Sequence, residues 1–257
     1  MNVLEVRNLF KNYDGVKAVE NVSFGIPKGV IAALIGQNGA GKTTVFNIIT
    51  GFLKPDSGCI IFKNKDITSM APYQITQRGI GRTFQNIRIF SQLSVLENVM
   101  LATKYGHSES LWAALFRGRE IRKKDRQNQE RAESCLMLVG MHDKKNELAE
   151  DLSHGQRKLL ELARIIALDP EVFLLDEPSA GLFPETISKM CEIIHQLRDS
   201  GKTILFISHD INVVMGLAEK VIALNYGIKI AEGTPSETQN NEAVINAYLG
   251  RRRAIAP

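Results

Sequence analysis

The chain has 257 residues, 44% of them apolar, with a formal net charge of +4. That is enough to bury a full core in one large domain, or in a domain with an inserted lobe. No apolar run approaches the roughly 20 residues of a membrane-spanning helix, and the alternating start Met1-Asn2-Val3-Leu4-Glu5-Val6 lacks a basic-then-apolar signal pattern. Cys59, Cys135 and Cys191 share no metal-ligand spacing and make no even disulfide set, which favours a reducing compartment.

Short strands are predicted over Val3–Leu9, Val19–Ile26 and Val30–Ile35, with Pro27-Lys28-Gly29 turning between the last two. Directly after them, Gly36-Gln37-Asn38-Gly39-Ala40-Gly41-Lys42-Thr43 fits G-x-x-x-x-G-K-[ST], and the run from Thr44 to Thr50 reads as a helix. Strand, glycine-rich loop and helix is the context a phosphate cradle needs. The glycines let backbone N–H groups turn inward, Lys42 adds a point charge, the Thr43 hydroxyl suits Mg²⁺, and the helix N-terminus favours an anion. Pro55-Asp56-Ser57-Gly58 then turns into the strand Cys59-Ile60-Ile61-Phe62, Pro72 to Arg78 forms a short helix stopped by Gly79, and Gly81-Arg82-Thr83-Phe84 runs extended into Gln85.

Beyond Gln85 the texture becomes helical. Ser94-Val95-Leu96-Glu97 is a capping box opening a helix through about Thr103. A less regular stretch from Gly106 to Gly118 holds Trp112. Arg119 to Val139 carries apolar residues at helical spacing near its end (Ala132, Cys135, Leu136, Leu138, Val139), with Gly140 as the stop. Residues 87–165 thus read as a helical lobe set into an α/β core. Basic residues gather from Arg117 to Arg131 and in Arg251-Arg252-Arg253. They fit either a solvated helix face and a frayed tail, or contact with anionic lipid headgroups or nucleic acid.

From Pro170 the α/β rhythm returns. Val172-Phe173-Leu174-Leu175 is a buried strand ending in Asp176-Glu177, and Pro184 to Arg198 is a helix ended by Gly201. Thr203–Ile207 is another strand, a helix starts near Asp210, and Val221–Leu224 with Ile228–Ala231 forms a closing hairpin. A carboxylate at the end of a parallel strand reaches the nucleotide crevice. Asp176 there would hold Mg²⁺, and Glu177 would orient or deprotonate the attacking water. The alternative is a strand surfacing into solvent. Leu152-Ser153-His154-Gly155-Gln156 opens an amphipathic helix with an N-cap and a tight turn.

The phosphate loop, Gln85, Leu152-Ser153-His154-Gly155-Gln156, Asp176-Glu177 and His209, in that order, resemble the ATP-binding cassette ATPases. Their signature is Leu-Ser-Gly-Gly-Gln, and His154 here replaces the first glycine. The resemblance implies a P-loop α/β core with a mixed sheet, an antiparallel β subdomain and an inserted α-helical subdomain. One nucleotide-binding domain would then cover 1–257, with the core and β subdomain at 1–86 and 166–250, the helical lobe at 87–165 and a basic tail at 251–257. It implies ATP and Mg²⁺ as cofactors. Gly36, Asn38, Gly39, Ala40, Gly41, Lys42, Thr43 and Thr44 would hold the phosphates, and Thr43, Gln85 and Asp176 the metal. Glu177, His209 and Gln85 would serve catalysis. Tyr13 would lie under the adenine, its alternative being an ordinary turn tyrosine. Ser153, Gly155 and Gln156 would close on ATP held by a partner subunit, so turnover needs a head-to-tail dimer. After the acidic pair the family usually has Ser-Xaa-Gly-Leu-Asp; here Phe183 follows Ser179-Ala180-Gly181-Leu182.

Gly79-Ile80-Gly81-Arg82-Thr83-Phe84-Gln85-Asn86-Ile87-Arg88-Ile89-Phe90, the long basic insert and the ending Ala247-Tyr248-Leu249-Gly250 are similar to branched-chain amino-acid uptake ATPases. That likeness implies a second ATPase subunit, two transmembrane permease subunits and, indirectly, a substrate-binding protein as partners. It also implies a place at the cytoplasmic face of the membrane and no nucleic-acid partner. The rivals are a lipopolysaccharide-export ATPase, which lacks the Arg-Thr-Phe-Gln-Asn-Ile-Arg wording, and a soluble cassette ATPase acting on ribosomes or nucleic acid. Against the latter, the chain has one cassette, with about 110 residues between phosphate loop and signature.

Overall fold

The computed structural model describes residues 1–85, 87–103 and 118–249, apart from the side chains of 118–123 and 249. The expectations for Asn86, Trp112, Arg117 and the Arg251-Arg252-Arg253 tail, and those for the side chains of Arg119, Arg122 and Lys123, lie outside them. The described residues fall into two compact units: Met1–Arg82, Glu171–Ala180 and Ile194–Pro257 in the first, Thr83–Pro170 and Gly181–Ile193 in the second.

The first unit is built on two sheets. β1 (Asn2–Tyr13) and β2 (Val16–Pro27) pair antiparallel. Asp14 and Gly15 connect them at φ 43° and 91°, the left-handed pair of a two-residue hairpin turn. β4 (Ser57–Phe62) and the two-residue β5 (Lys65–Asp66) complete a four-stranded sheet in the order β2-β1-β4-β5. Both long strands outrun the sequence expectation. Past Leu9 the apolar alternation is lost, but β2 continues to supply hydrogen-bond partners through register shifts, and pairing carries the strand on.

The second sheet has six strands in the order β10-β9-β3-β8-β7-β6. Its members are β3 (Ile31–Ile35), β6 (Ile80–Arg82), β7 (Val172–Asp176), β8 (Thr203–Ile207), β9 (Lys220–Asn225) and β10 (Ile228–Gly233). Only the β9–β10 pair is antiparallel, and β3, β7 and β8 are buried at every position, as fully covered parallel strands are. One apolar cluster joins the two sheets with α1 (Lys42–Ile49), whose Val45, Phe46, Ile48 and Ile49 are all buried. α2 (Pro72–Arg78) begins with proline at its first position, where the missing N–H costs nothing, and ends on Gly79 at φ 111°.

In the second unit, α3 (Val95–Met100) starts from the expected capping box: Glu97 N–H donates to Ser94 Oγ, and Ser94 N–H to Glu97 Oε2. It stops at Met100, short of the expected Thr103, which closes an isolated turn by donating its N–H to the Met100 carbonyl. α4 (Gly118–Leu138) and α5 (His154–Leu168) pack with each other and with α3, and their Ala132, Cys135, Leu136, Leu159, Leu160 and Ala163 are buried. Arg131, expected on a solvated or lipid-facing helix face, reaches the end of α5, where Nε donates to the Ala167 carbonyl at 3.1 Å and Nη2 lies 3.5 Å from Asp169. α6 (Pro184–Asp199) spans the boundary between units. Back in the first unit, α7 (Ile211–Leu217) is capped by Asp210, whose side chain accepts from Asn212 and Val213 N–H. Two helices absent from the sequence expectation follow, α8 (Pro235–Gln239) and α9 (Glu242–Leu249).

Candidate functional site

Strand order decides what meets in the first unit. β8 lies between β3 and β7, all parallel, with Leu34 opposite Ile207 and Ile207 opposite Asp176. The phosphate loop after β3, the acids after β7 and His209 after β8 therefore leave the sheet at one carboxyl edge, where open α/β sheets bind ligands.

The loop is clamped from several sides. A Cβ on Gly36, at φ 153°, would fall 2.4 Å from the Leu224 carbonyl oxygen, and one on Gly41, at φ 94°, would fall 2.4 Å from the Ala18 carbonyl oxygen. Gly227 N–H donates to the Ala40 carbonyl at 3.2 Å. Gly39, at φ 82°, has nothing within 4 Å of its virtual Cβ, and Gln37, Asn38, Gly39 and Thr43 are exposed while Thr44 is half-buried. The loop thus has packed roots and an open crest.

Lys42 is only 7% exposed, and its ammonium donates to the Gly36 and Gln37 carbonyls at 2.7 and 2.8 Å. Burial lowers its pKa below the ordinary lysine value, while the charges of Glu177 and Asp176 act to raise it. A partly desolvated cation beside open backbone N–H groups matches an anionic phosphate chain. ATP fits this cradle on its donor chemistry alone.

Asp176 is almost wholly buried and forms an ion pair with Arg82 at 3.0 Å. Burial raises its pKa above the usual carboxylate value, and the Arg82 hydrogen bond opposes the rise. Glu177 sits at φ 48°, a left-handed conformation unusual for a residue with a long side chain, and its N–H donates to the Ile207 carbonyl at 3.1 Å. His209 Nδ1 lies 3.3 Å from Glu177 Oε1, with the imidazole largely exposed and the carboxylate largely covered. Among the described residues no cluster of three or more His, Cys, Asp or Glu side chains could hold a metal by itself. A single carboxylate and a hydroxyl suit Mg²⁺, which takes most of its oxygens from phosphates and water.

Tyr13, the last residue of β1, is half-exposed, with Lys11 Nζ 5.8 Å from its ring centroid. Gln85, exposed, belongs to the second unit, as do the residues of the 152–156 segment. There Ser153 caps α5, accepting from Gln156 N–H at 3.3 Å while Gln156 Oε1 accepts from Ser153 N–H at 2.9 Å. The expected tight turn is absent. Gly155 lies inside the first turn of α5 without positive φ, and a Cβ there would make only ordinary contacts with Thr186 and Leu182 at 3.6 and 3.7 Å. Nothing within the unit demands glycine at 155. The ring of His154 covers Gly181, whose virtual Cβ lies 3.3 Å from Nε2.

The ABC transporter family profile matches residues 19–180, and that of the branched-chain amino acid ATP-binding cassette transporters matches residues 229–254. The chain belongs to the ABC transporter family. It is the ATP-binding, ATP-hydrolysing cassette of that family. Among its relatives, the high-affinity branched-chain amino acid transport ATP-binding protein LivG of Salmonella typhimurium is 39% identical over 249 residues, 96% of this chain and 98% of its own. The lipopolysaccharide export system ATP-binding protein LptB of Haemophilus influenzae is 34% identical over 254 residues, 98% of this chain and 99% of its own. A nucleotide-free ATP-binding cassette from an ABC transporter superposes with a TM-score of 0.84 at 32% identity, covering 97% of this chain and 100% of that one.

Sequence reasoning missed two features of the first unit's site. Arg82 was read as part of an extended run and of the branched-chain-type wording, with no partner of its own, yet it grips Asp176. The C-terminal helix α9 reaches the phosphate loop, with Gln37 Nε2 donating to the Ala247 carbonyl. The terminal Ala-Tyr-Leu-Gly wording marked that segment without revealing the contact.

Proposed function

We propose that this cassette is the ATP-hydrolysing subunit of a membrane importer for branched-chain or related amino acids. The observation that carries the reading is the near-full-length likeness to LivG, stronger than that to LptB, with the matched C-terminal segment at 229–254. The cassette works as one nucleotide-binding domain at the cytoplasmic face of the membrane. It pairs with a second cassette and drives two permease subunits, served indirectly by a substrate-binding protein. No helix among the described residues is long and apolar enough to cross a membrane, which fits a peripheral subunit.

In this reading the backbone N–H groups from Gly36 to Thr44 and the ammonium of Lys42 hold the ATP phosphates, and Tyr13 stacks on the adenine. Thr43, Gln85 and Asp176 hold Mg²⁺, which neutralises charge on the phosphates. Glu177 orients and deprotonates the attacking water, and His209, already 3.3 Å from Glu177, contacts the γ-phosphate. Ser153, Gly155 and Gln156 bind the γ-phosphate held by the partner at the N-terminus of α5. A glycine at 155 that its own unit does not require supports a close approach from outside. Glu177→Gln is the test: with ATP and Mg²⁺ it should form a stable dimer and lose hydrolysis by about 10²-fold or more. Full turnover by that variant would refute the catalytic assignment.

A further inference from the structure

We propose that Arg82 is the built-in counter-cation of Asp176, a positioning residue that keeps the buried carboxylate compensated and oriented whether or not a divalent cation is present. The inference rests on the reading of Asp176 as the metal-side acid. It goes beyond that reading by assigning a role to a residue outside the nucleotide-binding motifs.

The two side chains are 6% and 2% exposed, so the pair is out of reach of bulk water. Arg82 Nη2 donates to Asp176 Oδ2 at 3.0 Å. Its other arm, Nη1, donates to Asn47 Oδ1 at 2.7 Å and to Thr50 Oγ1 at 3.1 Å, both near the end of α1. The guanidinium also lies 5.6 Å from the Phe46 ring centroid. One planar fork thus ties the acid of β7 to the helix that begins at the phosphate loop. A lysine would have to reach all three acceptors from one nitrogen, where arginine divides them between Nη1 and Nη2.

A buried carboxylate left without a counter-charge is strongly destabilising. If Asp176 depended on a soluble divalent cation, the first unit would lose stability whenever that cation left with product. Arg82 removes the dependence. It also engages one named oxygen of the carboxylate, Oδ2, and so fixes the direction of the other. Arg82 is the last residue of the first unit before the chain passes towards Gln85, so the clasp also pins the point where the glutamine segment departs.

The test compares thermal unfolding of nucleotide-free wild-type protein, Arg82→Met, Arg82→Lys, Asp176→Asn and the double variant R82M/D176N, each with and without millimolar MgCl₂ alone. Wild type should be indifferent to MgCl₂. Arg82→Met should melt roughly 5–15 °C lower and recover part of the loss with MgCl₂, because the cation then binds a carboxylate only the native state presents. R82M/D176N should regain most of the loss and ignore MgCl₂, while Arg82→Lys should fall between wild type and Arg82→Met. An Arg82→Met protein that is blind to MgCl₂, with the double variant no more stable than the single, overturns the proposal. Should Arg82→Met fail to fold, R82K against R82K/D176N decides the same point. The metal reading fails separately if Asp176→Asn binds ATP with wild-type Mg²⁺ dependence; the pair comparison still decides the role of Arg82.

Discussion

Gly41→Ala and Gly39→Ala differ by two positions in one loop, and the structure assigns them different penalties. At Gly41 the backbone is left-handed, φ 94°, and the new Cβ would lie 2.4 Å from the Ala18 carbonyl oxygen. Ordinary contact begins at 3.4 Å, so strand or loop must move by about 1 Å. Ala18 cannot slip easily, because two residues on, Glu20 N–H donates to the Gly227 carbonyl at 2.8 Å. The left-handed conformation costs an alanine about 1–2 kcal/mol, and the overpacking adds about 1–3 kcal/mol. For a chain of this length that corresponds to a melting point lower by roughly 5–15 °C. Gly39, with φ 82° and open space around it, incurs only the conformational term, roughly 2–8 °C. The assay is thermal unfolding of the nucleotide-free proteins by circular dichroism, followed by titration with a fluorescent ATP analogue. Both variants should bind the nucleotide at least about 10-fold more weakly, a loss of about 1.4 kcal/mol, since the Gly39 methyl stands on the open crest and the Gly41 methyl forces the loop off its root. If Gly41→Ala melted within about 2 °C of Gly39→Ala, the packed-root reading of the loop would be wrong.

Three further outcomes follow from particular contacts. Ser153→Ala removes the acceptor for Gln156 N–H and should cost about 1 kcal/mol of stability in denaturant unfolding; in the proposed dimer it should also depress ATP hydrolysis while leaving single-subunit ATP binding intact. Glu161 accepts from Phe84 N–H at 3.2 Å, and burial raises its pKa above the ordinary glutamate value. The folded state therefore holds the proton more tightly than the unfolded one, and stability falls as pH rises from the unfolded pKa through the higher folded one. Glu161→Gln should gain on wild type in a melting series from pH 4 to 8, and a gap that does not widen with pH would rule this out. Phe183 is 79% exposed, so Phe183→Asp should leave the isolated cassette within about 0.5 kcal/mol of wild type. Restoring the family's usual acid there should, in the proposed dimer, also raise both the ATPase rate and ATP-dependent dimer formation measured by size exclusion; no change in either would show that residue 183 takes no part in the pairing.

Local chemistry was legible wherever one residue type had one physical use. The phosphate loop, the capping box at Ser94, the N-cap at Ser153 and the turn at Tyr226-Gly227 with φ 46° and 80° could all be read from the chain. The pairing of distant segments was hidden. Arg82 meets Asp176 because β6 lies beside β7, with Arg82 opposite Leu174, and no local pattern reports that adjacency. α8 is five residues long and too short for periodicity, although Thr234 and Glu237 form a capping box that could have flagged it. Asp169 ends α5 at φ 52°, a place where glycine would have been the readable signal. Gly155 was misread as a turn because glycine before a helix usually marks one, whereas here the helix has already begun.

The left-handed backbone of Glu177 sets a limit on how this position can change. Side chains that tolerate φ 48° best are glycine, asparagine and aspartate, and none of them reaches as far as glutamate. A search for greater thermal endurance would be drawn to those residues at 177, and under the role proposed for Glu177 each step it took there would trade turnover for rigidity. The strain thus records a compromise in which durability at this one residue yields to the placement of a carboxylate beside His209.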